Sequence, residues 1–219
     1  TILFAAPFST ITLRPATSFL TIEATQQSLN IIKNHGFSGL FYAGLGSTVL
    51  VQNIHTEMNN PEYIFDIHPQ ANLSIQNCQS YRDYNLRNYL RAQTESILIM
   101  DKVKITETTD LLSVALIEII RTSDVYLNSL FITNTSYELS GETSIFLLIS
   151  VHNMRLLNSI FMNNQGTAIH LEESRAAKIR STLIFGTYFQ NGLIAVQSDV
   201  SIFDCNFISN MGSSAFYAQ

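Results

Sequence analysis

Two pairs of acidic and histidine side chains have a spacing at which they could share a proton or a metal ion. Asp66 and His68 are two residues apart, and so are His170 and Glu172, so each pair would lie on one face of a β-strand. A carboxylate beside a histidine can act as a general base or as a metal ligand. The two pairs fall in different repeats of the pattern described below, so they are not expected to form one site. A solvated strand face is the better interpretation of each pair.

A polar, tyrosine-rich stretch at 79–88 carries another candidate group, Arg82, Asp83 and Arg87. These side chains could bind a sugar or an acidic group, although a solvated loop is the better interpretation. The sequence has no glycine-rich phosphate loop, no zinc-ligand spacing and no nucleophile elbow. We therefore predict no catalytic residue, no metal site and no cofactor.

Composition argues against two classes of partner. The formal net charge is −5, with 12 Lys and Arg residues against 17 Asp and Glu residues, which argues against nucleic-acid binding. No run of 18 apolar residues occurs, so no membrane span is expected within this segment.

A repeat of about 26 residues organises the chain and must position these side chains. Its anchor residues are Leu20, Val49, Leu73, Ile97, Val125, Met154, Ala177 and Val200. Two positions after each anchor is a large aliphatic residue, and these residues are Ile22, Val51, Ile75, Ile99, Leu127, Leu156, Ile179 and Ile202. Alternation of apolar and polar residues around the anchors indicates strands with one buried face.

Four positions after the anchors, nearly every residue is small and polar. Five of these residues are Asn or Asp, namely Asn53, Asn77, Asp101, Asn158 and Asp204. Asn and Asp favour tight turns and tolerate the left-handed backbone conformation, so we assign these five residues a structural role rather than a catalytic one.

A second strand precedes each anchor, for example at 63–68 and 145–149. One such unit cannot bury its own apolar face, so the units must stack. The sequence therefore predicts an all-β fold, a parallel β-helix solenoid of about eight coils. We assign 1–46 to irregular N-terminal coils or a cap, and 47–219 to regular coils that continue from it as one solenoid domain. The segment 26–34 fits a short cap helix or a long loop, and we favour the loop.

Short motifs in the later repeats resemble a known family. Phe131-Ile-Thr-Asn134, Phe161-Met-Asn-Asn164 and Phe207-Ile-Ser-Asn210 match F-x-x-N, while Gly166-Thr-Ala-Ile169 and Ser213-Ser-Ala-Phe216 loosely match a G-G-A-I-like strand. With the repeat, they resemble the right-handed parallel β-helices of the pectin-lyase-like superfamily, and most closely repeats of the polymorphic outer-membrane-protein type. The resemblance implies a right-handed coil and a ladder of side-chain amide hydrogen bonds through the five Asn and Asp residues.

The resemblance specifies architecture better than activity, because the superfamily includes lyases, hydrolases, adhesins and scaffolds. Polygalacturonase-like members carry N-T-D, a D-D pair, G-H-G and R-x-K, and none of these motifs occurs in this chain. Pectate-lyase-like members need clustered acids that bind calcium, and the sequence shows no clear cluster of this kind.

Two further features bear on the cellular compartment. Cys78 and Cys205 both lie five residues after an anchor and five coils apart, too far for a disulfide between them. Asn72-Leu-Ser74 and Asn134-Thr-Ser136 are candidate N-glycosylation sites, and both asparagines are expected at accessible positions.

We expect a non-enzymatic structural or adhesive β-helix, at the cell surface or outside the cell, that acts as a rigid stalk or an assembly component. One alternative is a polysaccharide lyase or glycoside hydrolase with a site on the loops near 79–88 or 106–110, so carbohydrate is a candidate ligand. A second alternative is an intracellular structural scaffold. Both ends of the sequence are apolar and strand-like, so we also expect a segment of a longer chain, or protein partners or neighbouring coils at the uncapped ends.

Overall fold

Each coil of the chain consists of short strands whose apolar side chains point inwards. In Thr48–Gln52, Val49 and Val51 are buried while the residues between them are half-buried. This period of two is the pattern of a strand with one face in a core. The computed structural model describes residues 2–3, 11–13, 19–23, 29–37, 41–43, 45–61, 63–138, 141–188, 190–211 and 214–219. Side chains are described from Phe41 onwards, except at 42 and 58–61.

The strands stack into three parallel sheets, and each coil contributes one strand to each sheet. Sheet A contains, in order, β1 (Ile2–Leu3), β4 (Leu29–Phe37), β7 (Ile54–Pro61), β10 (Gln79–Tyr81), β13 (Lys104–Thr106), β16 (Phe131–Thr133), β19 (Ile160–Met162), β22 (Leu183–Phe185) and β25 (Asn206–Ile208). Sheet B contains β2 (Ile11–Leu13), β5 (Phe41–Ala43), β8 (Tyr63–Ile67), β11 (Asn88–Ala92), β14 (Ala115–Ile120), β17 (Ser144–Ile149), β20 (Thr167–Glu172), β23 (Leu193–Val196) and β26 (Phe216–Ala218). Sheet C contains β3 (Phe19–Glu23), β6 (Thr48–Gln52), β9 (Asn72–Gln76), β12 (Ile97–Asp101), β15 (Asp124–Asn128), β18 (Asn153–Leu157), β21 (Ala177–Arg180) and β24 (Val200–Phe203).

This architecture confirms the predicted all-β parallel solenoid. The number of turns is about six rather than the expected eight. Seven strands of sheet C, from β6 to β24, are separated by six circuits of the chain. The coil predicted around Leu20 precedes the part of the chain with described side chains. The described residues form no helix, and so none that is long and apolar enough to cross a membrane.

The prediction of a loop at 26–34 is wrong from Leu29 onwards. That part of the segment belongs to β4, which pairs in parallel with both β1 and β7. Neighbouring strands on both sides supply its backbone hydrogen bonds, and such tertiary pairing overrides a weak local preference. The pairing between β4 and β7 is irregular between Asn34 and Phe37.

The predicted register is wrong by one residue in one coil, at β12. Leu98, not Ile97, pairs with Leu73 and Val125 in the neighbouring strands, and Met100, not Ile99, continues the buried aliphatic column. The strand reads Ile-Leu-Ile-Met, so alternation does not distinguish its two faces. Asp101 also misled the prediction, because it is a turn-forming residue type that lies one position before the actual corner. The corner of this coil falls instead on Lys102, which has a φ of 53°.

A single apolar cluster runs through the interior from Phe41 to Ala195. Its central column is fully buried and consists of Val51, Ile75, Met100, Leu127, Leu156 and Ile179. Aromatic rings add contacts between coils, because Phe41 stacks on Phe65 with ring centroids 4.9 Å apart. Each coil is therefore stabilised mainly by the coils directly before and after it.

Left-handed residues turn the chain at the corner that leads from sheet C to sheet A. They are Asn53, Asn77, Lys102, Ser129, Asn158, Ser181 and Asp204, with φ between 51° and 55°. The backbone N–H at this corner donates to a carbonyl of the next coil, as from Asn77 to Asp101 at 3.0 Å and from Lys102 to Asn128 at 3.0 Å. These corners join coils as well as reversing the chain, so they are part of the same hydrogen-bonded stack.

Candidate functional site

Asp66 of the first predicted pair lies on the outer face of sheet B, where it binds an arginine of the next coil. Arg91 donates from Nε and Nη2 to the two carboxylate oxygens of Asp66, with both distances 3.0 Å. The same guanidinium donates from Nη1 to the Tyr63 hydroxyl at 2.9 Å and lies 4.3 Å from the centroid of the Tyr63 ring. This bidentate geometry is the strong form of an arginine–carboxylate contact, and it joins β8 to β11.

The electrostatics of this cluster favour a fixed cross-link over acid–base chemistry. Burial is the largest single effect on the Arg91 guanidinium and lowers its pKa, but hydrogen bonding and charge from Asp66, with contributions from Tyr63 and Glu118, raise the pKa overall. His68 Nε2 lies 3.6 Å from Asp66 Oδ2, so the pair seen in the sequence is in contact. Because Arg91 already binds both oxygens of Asp66, the histidine is its secondary partner.

His170 and Glu172 lie on sheet B as predicted from their spacing, three strands further along the solenoid than β11. In the register of the sheet, His170 faces Leu147 and Ile194 of the adjacent strands, so its neighbours on both sides are apolar. Its Nε2 atom is buried and has no hydrogen-bond partner among the described residues. The structure therefore does not bring the two predicted pairs together.

The three charged residues of the tyrosine-rich stretch point to different places. Arg82 forms an ion pair with Glu107 at 3.1 Å, and both side chains are about half exposed. Asp83 is fully buried and accepts a hydrogen bond from the Ser80 hydroxyl, whereas the Arg87 guanidinium lies 5.9 Å from the Tyr63 ring centroid. They form no common binding site.

The column of five Asn and Asp residues is divided by the register shift at β12. Asn53, Asn77, Asn158 and Asp204 take the left-handed corner position, whereas Asp101 is the last residue of its strand. Asp204 Oδ2 lies 3.6 Å from Arg180 Nε, in an ion pair whose side chains are largely exposed.

A side-chain hydrogen-bonded row nevertheless runs through two of these residues. The side-chain amide of Asn128 donates to Asp101 Oδ1 at 2.7 Å, and that of Asn158 donates to the side-chain oxygen Oδ1 of Asn128 at 3.0 Å. Asn128 was not among the five residues predicted for this ladder. For Asn53, Asn77 and Asp204, the amide ladder stays a prediction.

The asparagines of two F-x-x-N motifs have equivalent structural roles. Asn164 Oδ1 accepts hydrogen bonds from the backbone N–H and hydroxyl of Thr135, at 3.2 and 3.1 Å. Asn210 Oδ1 does the same for Thr187, at 3.1 and 2.9 Å. The motif that begins at Phe131 is shifted, because Ile132 and not Phe131 pairs with Phe161.

Gly166 of the G-x-A-I motif has a steric reason to be glycine. Its φ is +89°, and a Cβ atom there would lie 2.6 Å from Thr143 Oγ1 and 2.8 Å from the Thr143 carbonyl oxygen. A side chain would therefore clash with the preceding coil.

The two glycosylation sequons differ in exposure. Asn134 is exposed at a left-handed turn with a φ of 55°. Asn72 is half-buried on β9, and its side-chain amide donates to the Thr48 hydroxyl at 3.5 Å. The folded chain thus offers more room for a glycan at Asn134 than at Asn72.

Both cysteines are free thiols at equivalent corners, with different burial. Burial raises the pKa of the Cys78 thiol from 9.0 to about 11, and its Sγ donates to the Gln76 carbonyl at 3.3 Å. The thiolate is the reactive form, so Cys78 is protected from oxidants and alkylating reagents. Cys205 is half-buried at the last corner from sheet C to sheet A, between β24 and β25.

We expect a maleimide at pH 8 to label Cys205 in the native protein and Cys78 only after unfolding. Because the folded pKa of Cys78 is raised, its contribution to stability is complete below pH 9.0 and is lost as pH rises to about 11. The full loss would be about 2–3 kcal/mol. Peptide mass spectrometry locates the label, and urea midpoints of wild type and Cys78→Val at pH 8 and 10.5 measure the loss. Equal labelling rates at the two cysteines would contradict this picture.

A groove on the outer face of sheet C was not predicted from the sequence. Its volume is about 360 Å³, within the range of small-molecule sites, and its lining includes Asp124, Tyr126, Asn153, Arg155, Ala176 and Lys178. Asn153 donates to the Asp124 carboxylate at 3.0 Å.

The repeat contained a signal for this groove. The residues directly after three successive anchors are Tyr126, Arg155 and Lys178, and strand pairing places them in adjacent positions. This column lies between the anchors and the aliphatic column from which the repeat was defined. The described part of the chain contains no group of three or more His, Cys, Asp or Glu side chains that could hold a metal ion.

Comparison of the chain with known protein families, with curated proteins and with solved structures finds no match.

Proposed function

We propose that this chain is a non-catalytic structural or adhesive β-helix of the cell surface or extracellular space. The observation that carries the proposal is the bidentate Arg91–Asp66 contact. Asp66 is the candidate general base of the first pair, and in this contact both of its carboxylate oxygens link one coil to the next. Outward-facing Asn and Asp side chains do the same in the row from Asp101 to Asn158. Polar groups used in this way stiffen a rod, as a stalk or an assembly component requires.

We further propose that the solenoid is right-handed and belongs with the pectin-lyase-like β-helices, with repeats of the polymorphic outer-membrane-protein type. The equivalent roles of Asn164 and Asn210 support this, because F-x-x-N then has a structural purpose in the coil. The steric need for Gly166 supports it as well.

If the rod is secreted through a glycosylating pathway, we expect a glycan at Asn134 and lower occupancy at Asn72, since only Asn134 is exposed. Peptide mass spectrometry on native material, before and after enzymatic deglycosylation, measures both occupancies. Ser136→Ala should abolish modification at Asn134 and leave Asn72 unchanged. Unmodified peptides at both sites would favour the alternative of an intracellular scaffold.

One observation keeps a polysaccharide-cleaving enzyme as the second candidate. The loops near 79–88 and 106–110 lie together, joined by the Arg82–Glu107 ion pair and by backbone pairing of Tyr84 with Thr109. A cation and a carboxylate side by side at an exposed loop edge are groups that glycan cleavage uses. Release of products from acidic or neutral glycans, abolished by Glu107→Gln, would replace the structural proposal with this one.

A further inference from the structure

The sheet C groove combines an aromatic surface with two cations on successive coils. In the register of the sheet, Ile99, Tyr126, Arg155 and Lys178 are consecutive neighbours, so they succeed one another at about 4.8 Å along the solenoid. Tyr126 is 36% exposed, which leaves part of its ring available for packing. The groove is therefore apolar at one end and cationic at the other.

The two cations are available to a ligand. Neither Arg155 nor Lys178 forms an ion pair with any residue that the structure describes, and both side chains are exposed. Asp124, the acidic residue of the lining, accepts a hydrogen bond from Asn153. In a chain with a net charge of −5, this is a local cationic site rather than part of a generally basic surface.

We infer that this groove binds a saccharide carrying a sulfate ester, with the sugar ring packed on Tyr126 and the sulfate held between Arg155 and Lys178. A sugar ring has an apolar C–H face that suits an exposed aromatic side chain, and a rim of hydroxyls that suits the Asp124–Asn153 pair.

The charge arrangement favours sulfate over carboxylate. A carboxylate has two oxygens in one plane and fits the fork of a single arginine best, as Asp66 fits Arg91. Arg155 and Lys178 approach from successive coils, and lysine acts as a point charge. A tetrahedral sulfate, with oxygens in several directions, can accept from both cations at once.

This inference rests on the proposed surface role for its biological setting, since sulfated saccharides would meet the rod outside the cell. Binding itself is measured with the purified chain. A negative result would remove the ligand without affecting the proposed structural role, which the glycan mapping and turnover assays test separately.

The test is titration of the purified protein with a sulfated heparin-derived hexasaccharide, followed by calorimetry or by NMR shifts of Tyr126. We expect saturable binding that weakens with salt, and about a tenfold loss of affinity for Arg155→Gln and for Lys178→Gln. Tyr126→Ala should weaken binding by a similar factor, but the dependence of affinity on salt concentration should be the same as for the wild type. Lys104→Gln, which removes one exposed cation from sheet A, is the matched control and should bind as wild type does.

Three results would overturn the inference. The first is no binding of the sulfated hexasaccharide to the wild-type chain. The second is equal binding of the chemically desulfated hexasaccharide or of oligogalacturonate, which would show that sulfate is not recognised. The third is wild-type affinity in both cation variants. Equal melting temperatures for all variants would show that each result reports on binding and not on folding.

Discussion

Met100→Asp is expected to prevent cooperative folding, whereas Ile99→Asp on the same strand is expected to leave stability almost unchanged. Met100 is fully buried between Ile75 and Leu127, so a carboxylate there would have no partner. An uncompensated buried charge costs about 3–5 kcal/mol, and the lost methionine burial adds about 1.5–3 kcal/mol. Ile99 is half-buried and faces outwards beside Ser74 and Tyr126, so Ile99→Asp should cost less than about 1 kcal/mol.

The two variants are matched controls for one another, because each introduces one carboxylate into β12 at adjacent residues. Thermal melting followed by circular dichroism, with limited proteolysis at 25 °C, measures both. A folded Met100→Asp protein together with an unfolded Ile99→Asp protein would restore the register in which Ile99 is buried.

Removal of one partner from the Arg91–Asp66 pair is expected to produce the second-largest effect. Asp66 is buried, so Arg91→Gln leaves its carboxylate without the bidentate partner and with His68 as the remaining ion-pair contact among the described residues, at a cost of about 2–3 kcal/mol. Asp66→Asn should cost less, because the guanidinium keeps its hydrogen bond to Tyr63. Urea midpoints for the two single variants and the double variant form a cycle, with an expected coupling of about 1–2 kcal/mol.

A parallel cycle on Arg82 and Glu107 is the control, because that ion pair also joins two successive coils. Its side chains are exposed to 51% and 44%, against 28% and 11% for Arg91 and Asp66. Solvent screens exposed pairs strongly, so no measurable coupling is expected there. Equal coupling in the two cycles would mean that burial does not strengthen the Arg91–Asp66 contact.

Sequence periodicity predicted most of the solenoid because its coils alternate clearly between apolar and polar residues. In Asn153-Met-Arg-Leu-Leu157, Arg155 can only point outwards, so the buried pair is unambiguous. At β12 four successive apolar residues removed that information, and only stacking against β9 and β15 determines which face is buried.

The start of strand β11 was predicted wrongly for the opposite reason, because Asn88 was assigned to the polar loop at 79–88. Asn88 is 2% exposed and donates to the Ala115 carbonyl at 2.7 Å, and Arg91 is held by Asp66. The partners of both side chains lie a full coil away in the sequence. Local patterns carry no information about such contacts, although they determine whether a polar residue can enter a strand.

The candidate sites show the same limit. Spacing correctly placed Asp66 beside His68, because both lie within a few residues of one strand. The partner that decides the chemistry, Arg91, comes from the next coil. Likewise, the groove between Asp124 and Lys178 exists only because three coils are stacked in register.

The three corners of the coil differ in how much chain they contain. From sheet C to sheet A the link is short, as at Asn77 and Cys78 between β9 and β10. From sheet A to sheet B it ranges from the single residue between Pro61 and Tyr63 to the long link between Thr133 and Ser144. From β6 onwards, insertions are therefore accommodated at one edge of the solenoid, while the core and the other two edges keep nearly constant spacing. Along that edge, new loops can be gained or exchanged coil by coil without a change in the stack that holds them.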